Sequence, residues 1–356
     1  MSNALQAFGS MVKGWVTANA DHYLRVVIPA DHVLPAPENS APLEPDASYF
    51  RVWLSEMFLS KSVDWGAQQF PAVHTEVTLT FGNQAEVTFS RVSQPPKDQI
   101  GKGVFLNYLL SELMPYKGGV VTIDAALIAL KGEDYLRTAI GVLQQFSGLV
   151  TAPLGEALNI AGKLTIGTRD LLASTGGNIH LGWHDSFVSK GGDGGLVMKP
   201  GFYAVILGTQ QQVEPEKLYV KDGRLYKGND LQSASPLSGF DYMLFRIEGR
   251  KERDDWRLKT VDEPLKKAKA ALAKDNNEEF TAYRKVSLVA ALESPDYSET
   301  DRQRVIATIK QELKKLQESG LGVLGIEEGK SFDYAMSYEE AHARGPISSH
   351  EALADD

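Results

Sequence analysis

Apolar residues recur at every second position through much of this chain and at helical spacing after Pro264. That change of period constrains the fold more than any single motif, because strands and helices demand different repeats from the same side chains. The alternation Phe50, Val52, Leu54 marks a strand. Further strands are expected over 23–28, 179–183, 202–207, 218–226 and 242–247. After Pro264, Leu265, Ala268 and Leu272 share one helical face. Phe280, Tyr283 and Val286 begin a second helix, and Val305, Ile309, Leu313 and Leu316 form the stripe of a third. Ser298 caps that third helix, with Asp301 at the capping-box position. The expected class is α+β, with a mixed N-terminal region, a β-rich middle section and a C-terminal helical subdomain. The corresponding boundaries are 1–175, 176–257 and 258–326, followed by an acidic, weakly ordered tail over 327–356.

Two hairpins are specific enough to predict register. Between arms near 74–81 and 85–92, a two-residue turn at Gly82-Asn83 would set apolar and polar side chains opposite one another. A three-residue loop, Gly82-Asn83-Gln84, instead pairs Val77 with Phe89 and Leu79 with Val87, and the pattern favours it. At Asp222-Gly223 a type I′ turn pairs Val220 with Leu225 and Tyr219 with Tyr226. Elsewhere, Leu5, Phe8, Met11, Val12 and Trp15 predict an amphipathic first helix that packs on the protein's own body. The stretch holding Pro35, Pro37, Pro42 and Pro45 reads as an extended surface linker. Residues 104–114 read as a helix, and the apolar run 120–130 fits strand or helix equally. Residues 133–150 and 154–172 read as helices broken at Pro153.

Composition narrows the chemistry. With no cysteine among 356 residues, disulfides, thiol nucleophiles and thiolate metal sites are excluded, and a reducing, cytoplasmic setting is expected. The net charge of -9 disfavours nucleic acid as a partner. Most of that charge lies beyond Glu327, so the body is nearly balanced. The N-terminus lacks the features of a secretory signal. No cofactor motif is expected.

Three strings invite a functional reading. In His180-Leu181-Gly182-Trp183-His184-Asp185-Ser186, regular strand alternation would place His180 and His184 on one face, where a metal could use both imidazoles with Asp185. The segment Lys190-Gly191-Gly192-Asp193-Gly194-Gly195 lacks P-loop spacing and reads as a strand connection, or as a loop that a partner or protease grips. Thr138–Gly155 carries no charge over eighteen residues, which touches the membrane-spanning length. A buried helical hairpin is the simpler expectation, so membrane contact is not expected in the resting state. On the last helix, Arg302, Arg304, Lys310, Lys314 and Lys315 read as a solvated basic face. The leading functional expectation is a non-enzymatic interaction or regulatory component whose partner is another protein. The alternatives are a latent membrane-active effector released by proteolysis and a metal-dependent hydrolase centred on His180, His184 and Asp185.

Overall fold

The computed structural model describes residues 5–60, 63–64, 67–80, 87–93, 104–131, 179–319, 340, 342–343 and 352–353. Their architecture is α+β. Along the chain come α1 (Leu5–Ala18), β1 (Tyr23–Ile28), β2 (Val33–Leu34), β3 (Ser48–Phe58), β4 (Val63–Asp64), β5 (Ala67–Thr80) and β6 (Val87–Ser93). Next are β7 (Val104–Leu109), β8 (Met114–Tyr116), β9 (Val120–Lys131), β10 (Ile179–Val188), β11 (Leu196–Val197) and β12 (Gly201–Leu207). The short helix α2 (Gln210–Val213) precedes β13 (Leu218–Lys221), β14 (Arg224–Lys227), β15 (Ser235–Pro236) and β16 (Tyr242–Arg250). Three helices follow: α3 (Lys259–Leu272), α4 (Asn277–Glu293) and α5 (Glu299–Ser319).

The chain divides into two compact units. The first comprises Met1–Leu43, Phe50–Glu112 and Gly118–Gly249, and the second Glu44–Tyr49, Leu113–Lys117 and Arg250–Asp356.

The first unit is built from stacked sheets. One has the order β1-β12-β16-β3-β7; another runs β11-β10-β9-β5-β4, with β6 on β5. Between them lies an aromatic core. Trp183 stacks 4.3 Å from Phe245, and Phe187 meets Tyr203 edge-on at 5.4 Å. On the other face of the first sheet, Phe202, Ala204, Tyr242 and Leu244 pack with Val220 and Leu225 of a small third sheet, β15-β14-β13-β2, and with Leu237 just after β15. The helix α1 lies on the second sheet's outer face. A Cβ on Gly182 would stand 3.0 Å from the Trp15 ring, so the absence of a side chain there permits the close approach.

Both hairpins have the expected register. Val77 pairs with Phe89 and Leu79 with Val87, as the longer loop requires, while the loop itself lies outside the described residues. Val220 pairs with Leu225 around Asp222 and Gly223, both at positive φ (51° and 76°). The Pro-rich stretch is largely exposed and anchored by buried Leu43, whose N–H donates to the Met198 carbonyl at 2.9 Å.

One expectation is overturned here. Residues 104–109 are the strand β7, not the start of a helix, and β8 follows. A short, mostly apolar stretch fits either period, and here the free edge of β3 decides. Trp53 pairs with Leu109 and Leu54 with Tyr108; the register then shifts as Asn107 takes a positive φ of 40°, which Asn tolerates. The run beginning at Val120 resolves as β9, paired on both sides. The expected helices over 133–172, including Thr138–Gly155, lie outside the described residues. No described helix is long and apolar enough to cross a membrane.

In the second unit the helices share a core of Val261, Leu265, Ala268, Phe280, Leu288, Tyr297, Val305, Ile309 and Leu313. Val286 departs from its expected stripe and is exposed. The basic face of α5 is also not uniformly solvated. Lys314 and Lys315 are exposed, but Arg304 is buried, with Asp301 and Glu252 as partners, and Arg302 pairs with Glu299. Ala352, in the segment expected to be a loose tail, is fully buried in the helical core.

Candidate functional site

The histidine string forms β10, and its alternation separates the proposed metal ligands. Trp183, Asp185 and Phe187 face the aromatic core, whereas Gly182, His184 and Ser186 face α1. Asp185 accepts from Trp183 Nε1 and from Arg25 of β1. His184 instead pairs with Asp124 of β9, Nδ1 to Oδ1 at 2.7 Å. His180 sits where the β9–β10 register shifts. The two consecutive ligands therefore project to opposite sides of one sheet and cannot share an ion. Among the described residues no group of three or more His, Asp or Glu side chains is placed to hold a metal. Burial pushes the Asp185 carboxyl above its ordinary range, against the pull of Trp183 and Arg25.

The glycine-rich segment Lys190–Gly195 is exposed, and it joins β10 to β11. These two strands run parallel, with Phe187 opposite Leu196, so the chain must loop back and resume its original direction within a few residues. Gly191 and Gly194 supply positive φ angles of 88° and 85°. A Cβ on Gly195 would stand 2.5 Å from the Ser186 carbonyl oxygen. Tight reversal beside a strand backbone accounts for these glycines without a ligand.

A different constellation has the composition of a recognition surface. Arg51 and Trp53 alternate on β3, and Arg246 and Glu248 alternate on the adjacent strand β16. Their strand neighbours Val52, Leu54, Phe245 and Ile247 are fully buried, so these four side chains occupy the less buried positions. Arg51 grips Glu248 with two bonds, Nε to Oε2 at 2.7 Å and Nη2 to Oε1 at 2.9 Å. Trp53 Nε1 donates to the same Oε2 at 2.8 Å. Both guanidinium groups lie against the Trp53 ring, with Arg51 Cζ 5.1 Å and Arg246 Cζ 5.0 Å from its centroid. Such arginine–indole stacking is worth ~0.5–2 kcal/mol, more as water is excluded.

Arg246 is the unsettled member. Its Nη2 is 4.0 Å from Glu248 Oε2, too far for a hydrogen bond. Its Nε is buried and has no hydrogen-bond partner. Burial lowers the pKa of this guanidinium from its ordinary value, against the attraction of Glu248, and the charge of Arg51 adds to the lowering.

Sequence reasoning missed this group because its halves are almost 200 positions apart: the Trp53–Glu248 bond spans 195 residues. The available signal was local, in that Arg51-Val52-Trp53 and Arg246-Ile247-Glu248 each place polar or aromatic residues on alternate positions of an apolar strand. No family model, curated protein or solved structure matches this chain.

Proposed function

We propose that this protein is a non-enzymatic interaction component that holds a partner protein on the outer sheet face carrying Arg51, Trp53 and Arg246. The observation that carries this reading is the ordered Arg–Trp–Arg group, in which two cations share one carboxylate and remain partly exposed. Tryptophan and arginine are the residue types that most often dominate binding energy at protein interfaces. Their fixed geometry here reduces the ordering cost of association. The cysteine-free composition favours a reducing, cytoplasmic setting for that role.

The test is comparative capture from native lysate with the full chain and its Trp53→Ala variant, both checked for unchanged circular dichroism. A discrete protein retained by the full chain and lost from the variant, with the loss reproduced using purified components, is the expected result. Identical retention by both would refute the reading.

A further inference from the structure

We propose that Arg246 is the receptor for a carboxylate on an acidic segment of the partner protein; this rests on the interaction reading above and specifies its chemistry. The argument begins with Glu248. Its Oε1 accepts from Arg51 Nη2, and its Oε2 accepts from Arg51 Nε and Trp53 Nε1. That carboxylate is therefore hydrogen-bonded by Arg51 and Trp53. Arg246 is held differently, by stacking on Trp53, with its nearest carboxylate oxygen 4.0 Å away. About a third of its side chain remains accessible (34%), against 21% for both Arg51 and Glu248. The group thus presents a planar donor fork to which no described carboxylate is hydrogen-bonded, already oriented by an aromatic ring.

Charge selects the ligand. Two guanidinium groups and one carboxylate leave a single positive charge. A carboxylate matches it and fits the guanidinium fork with two parallel bonds. A phosphomonoester carries nearly two negative charges at neutral pH and would bring the second one toward Glu248. The group stands on a sheet face, so one carboxylate contact needs neighbouring contact area, as a protein segment supplies and a free small acid does not.

The experiment is calorimetric titration of the full chain with three peptides of one backbone: one rich in Asp and Glu, its Asn and Gln counterpart, and one bearing phosphoserine. Each is titrated into the wild type, Arg246→Lys, which keeps the charge but loses the fork, and Arg246→Gln. Circular dichroism verifies each fold. The acidic peptide is expected to bind the wild type and to weaken roughly tenfold in Arg246→Lys and further in Arg246→Gln, with the amide peptide bound at least tenfold more weakly. Equal binding to all three proteins would overturn the assignment, as would no acidic-peptide binding at about 1 mM. Tighter binding of the phosphopeptide would also overturn it, in favour of a phosphate. If the captured partner is lost from Trp53→Ala but kept by Arg246→Gln, the interaction reading survives and the role of Arg246 falls. Retention by both variants removes both.

Discussion

The two units bury charge in different ways. In the first, each of two buried carboxylates meets a cation that reaches solvent. Asp185 is 6% exposed and its partner Arg25 40%; Glu56 is 3% exposed and its partner Arg224 41%. In the second, two pairs have both members inside, beside others such as Arg253–Asp255 whose carboxylate is exposed. Asp301 and Arg304 are 0% and 4% exposed, and Glu312 and Lys269 are 5% and 9%. A cation at the rim keeps most of its hydration, so such a pair costs little to form. Two enclosed charges give up their hydration, and attraction between them recovers it only with good geometry and further hydrogen bonds. The first unit therefore gives up little hydration at these pairs, whereas the second carries, beside its apolar core, a polar network that must be complete.

That network is built around the N-terminus of α5. Ser298 Oγ accepts the Asp301 N–H at 3.1 Å, the expected half of a capping box. The reciprocal half is replaced. The Ser298 N–H donates to the Tyr49 hydroxyl at 2.9 Å, and that hydroxyl donates to Asp301 Oδ2 at 2.9 Å. The Arg253 N–H reaches the same oxygen at 3.2 Å. Burial still outweighs these bonds and the attraction of Arg304, and it lifts the Asp301 carboxyl to about 6.

The contrast can be broken most directly at Trp183. Replacing it with alanine removes an indole packed against Phe245, Tyr203 and Phe187, and is expected to cost ~3–5 kcal/mol. Amide exchange should then rise in β10, β12 and β16 while α3–α5 keep their protection. An equal loss in both units would erase the distinction.

The next effect is a pH dependence of the second unit, read at α5. Asp301 holds its proton more tightly in the folded chain, at about 6, than an unfolded aspartate at about 3.9 does. Its contribution is therefore complete below about pH 4 and is lost as the pH rises through about 6. The size is on the order of 3 kcal/mol. Asp301→Asn removes this titration. Exchange protection of α5, followed from pH 4 to 7, should fall in the wild type relative to the variant. A relative gain with rising pH would contradict the assignment.

The smallest effect sharpens the account of the network. Tyr49→Phe leaves the Ser298 N–H without its acceptor and Asp301 without one donor, at an expected cost of ~1–2 kcal/mol. The exchange should quicken first at the N-terminal amides of α5. A loss confined to the α3–α4 contact would place the role of Tyr49 elsewhere.

What the sequence by itself determined is the part of the fold governed by neighbours in the chain. Side-chain alternation and turn chemistry set both hairpin registers, because a slip of one residue would have exposed every apolar side chain. The stripes of α3 and α5 and the Ser298 cap follow from a 3.6-residue repeat and an unsatisfied helix end. Tertiary structure decided whatever needed a partner distant in the chain. The stretch 104–109 became a strand because β3 offered an edge. Asp185 and His184, adjacent in sequence, parted because a strand turns consecutive side chains to opposite faces, and their partners Arg25 and Asp124 come from different strands. Arg304 looked like a solvated charge until Asp301 and Glu252 were brought beside it. The Arg51–Trp53–Arg246–Glu248 group exists only because β3 and β16 are neighbours in the sheet. Local periodicity records which way a side chain points; the group it will meet depends on long-range pairing, which periodicity does not encode.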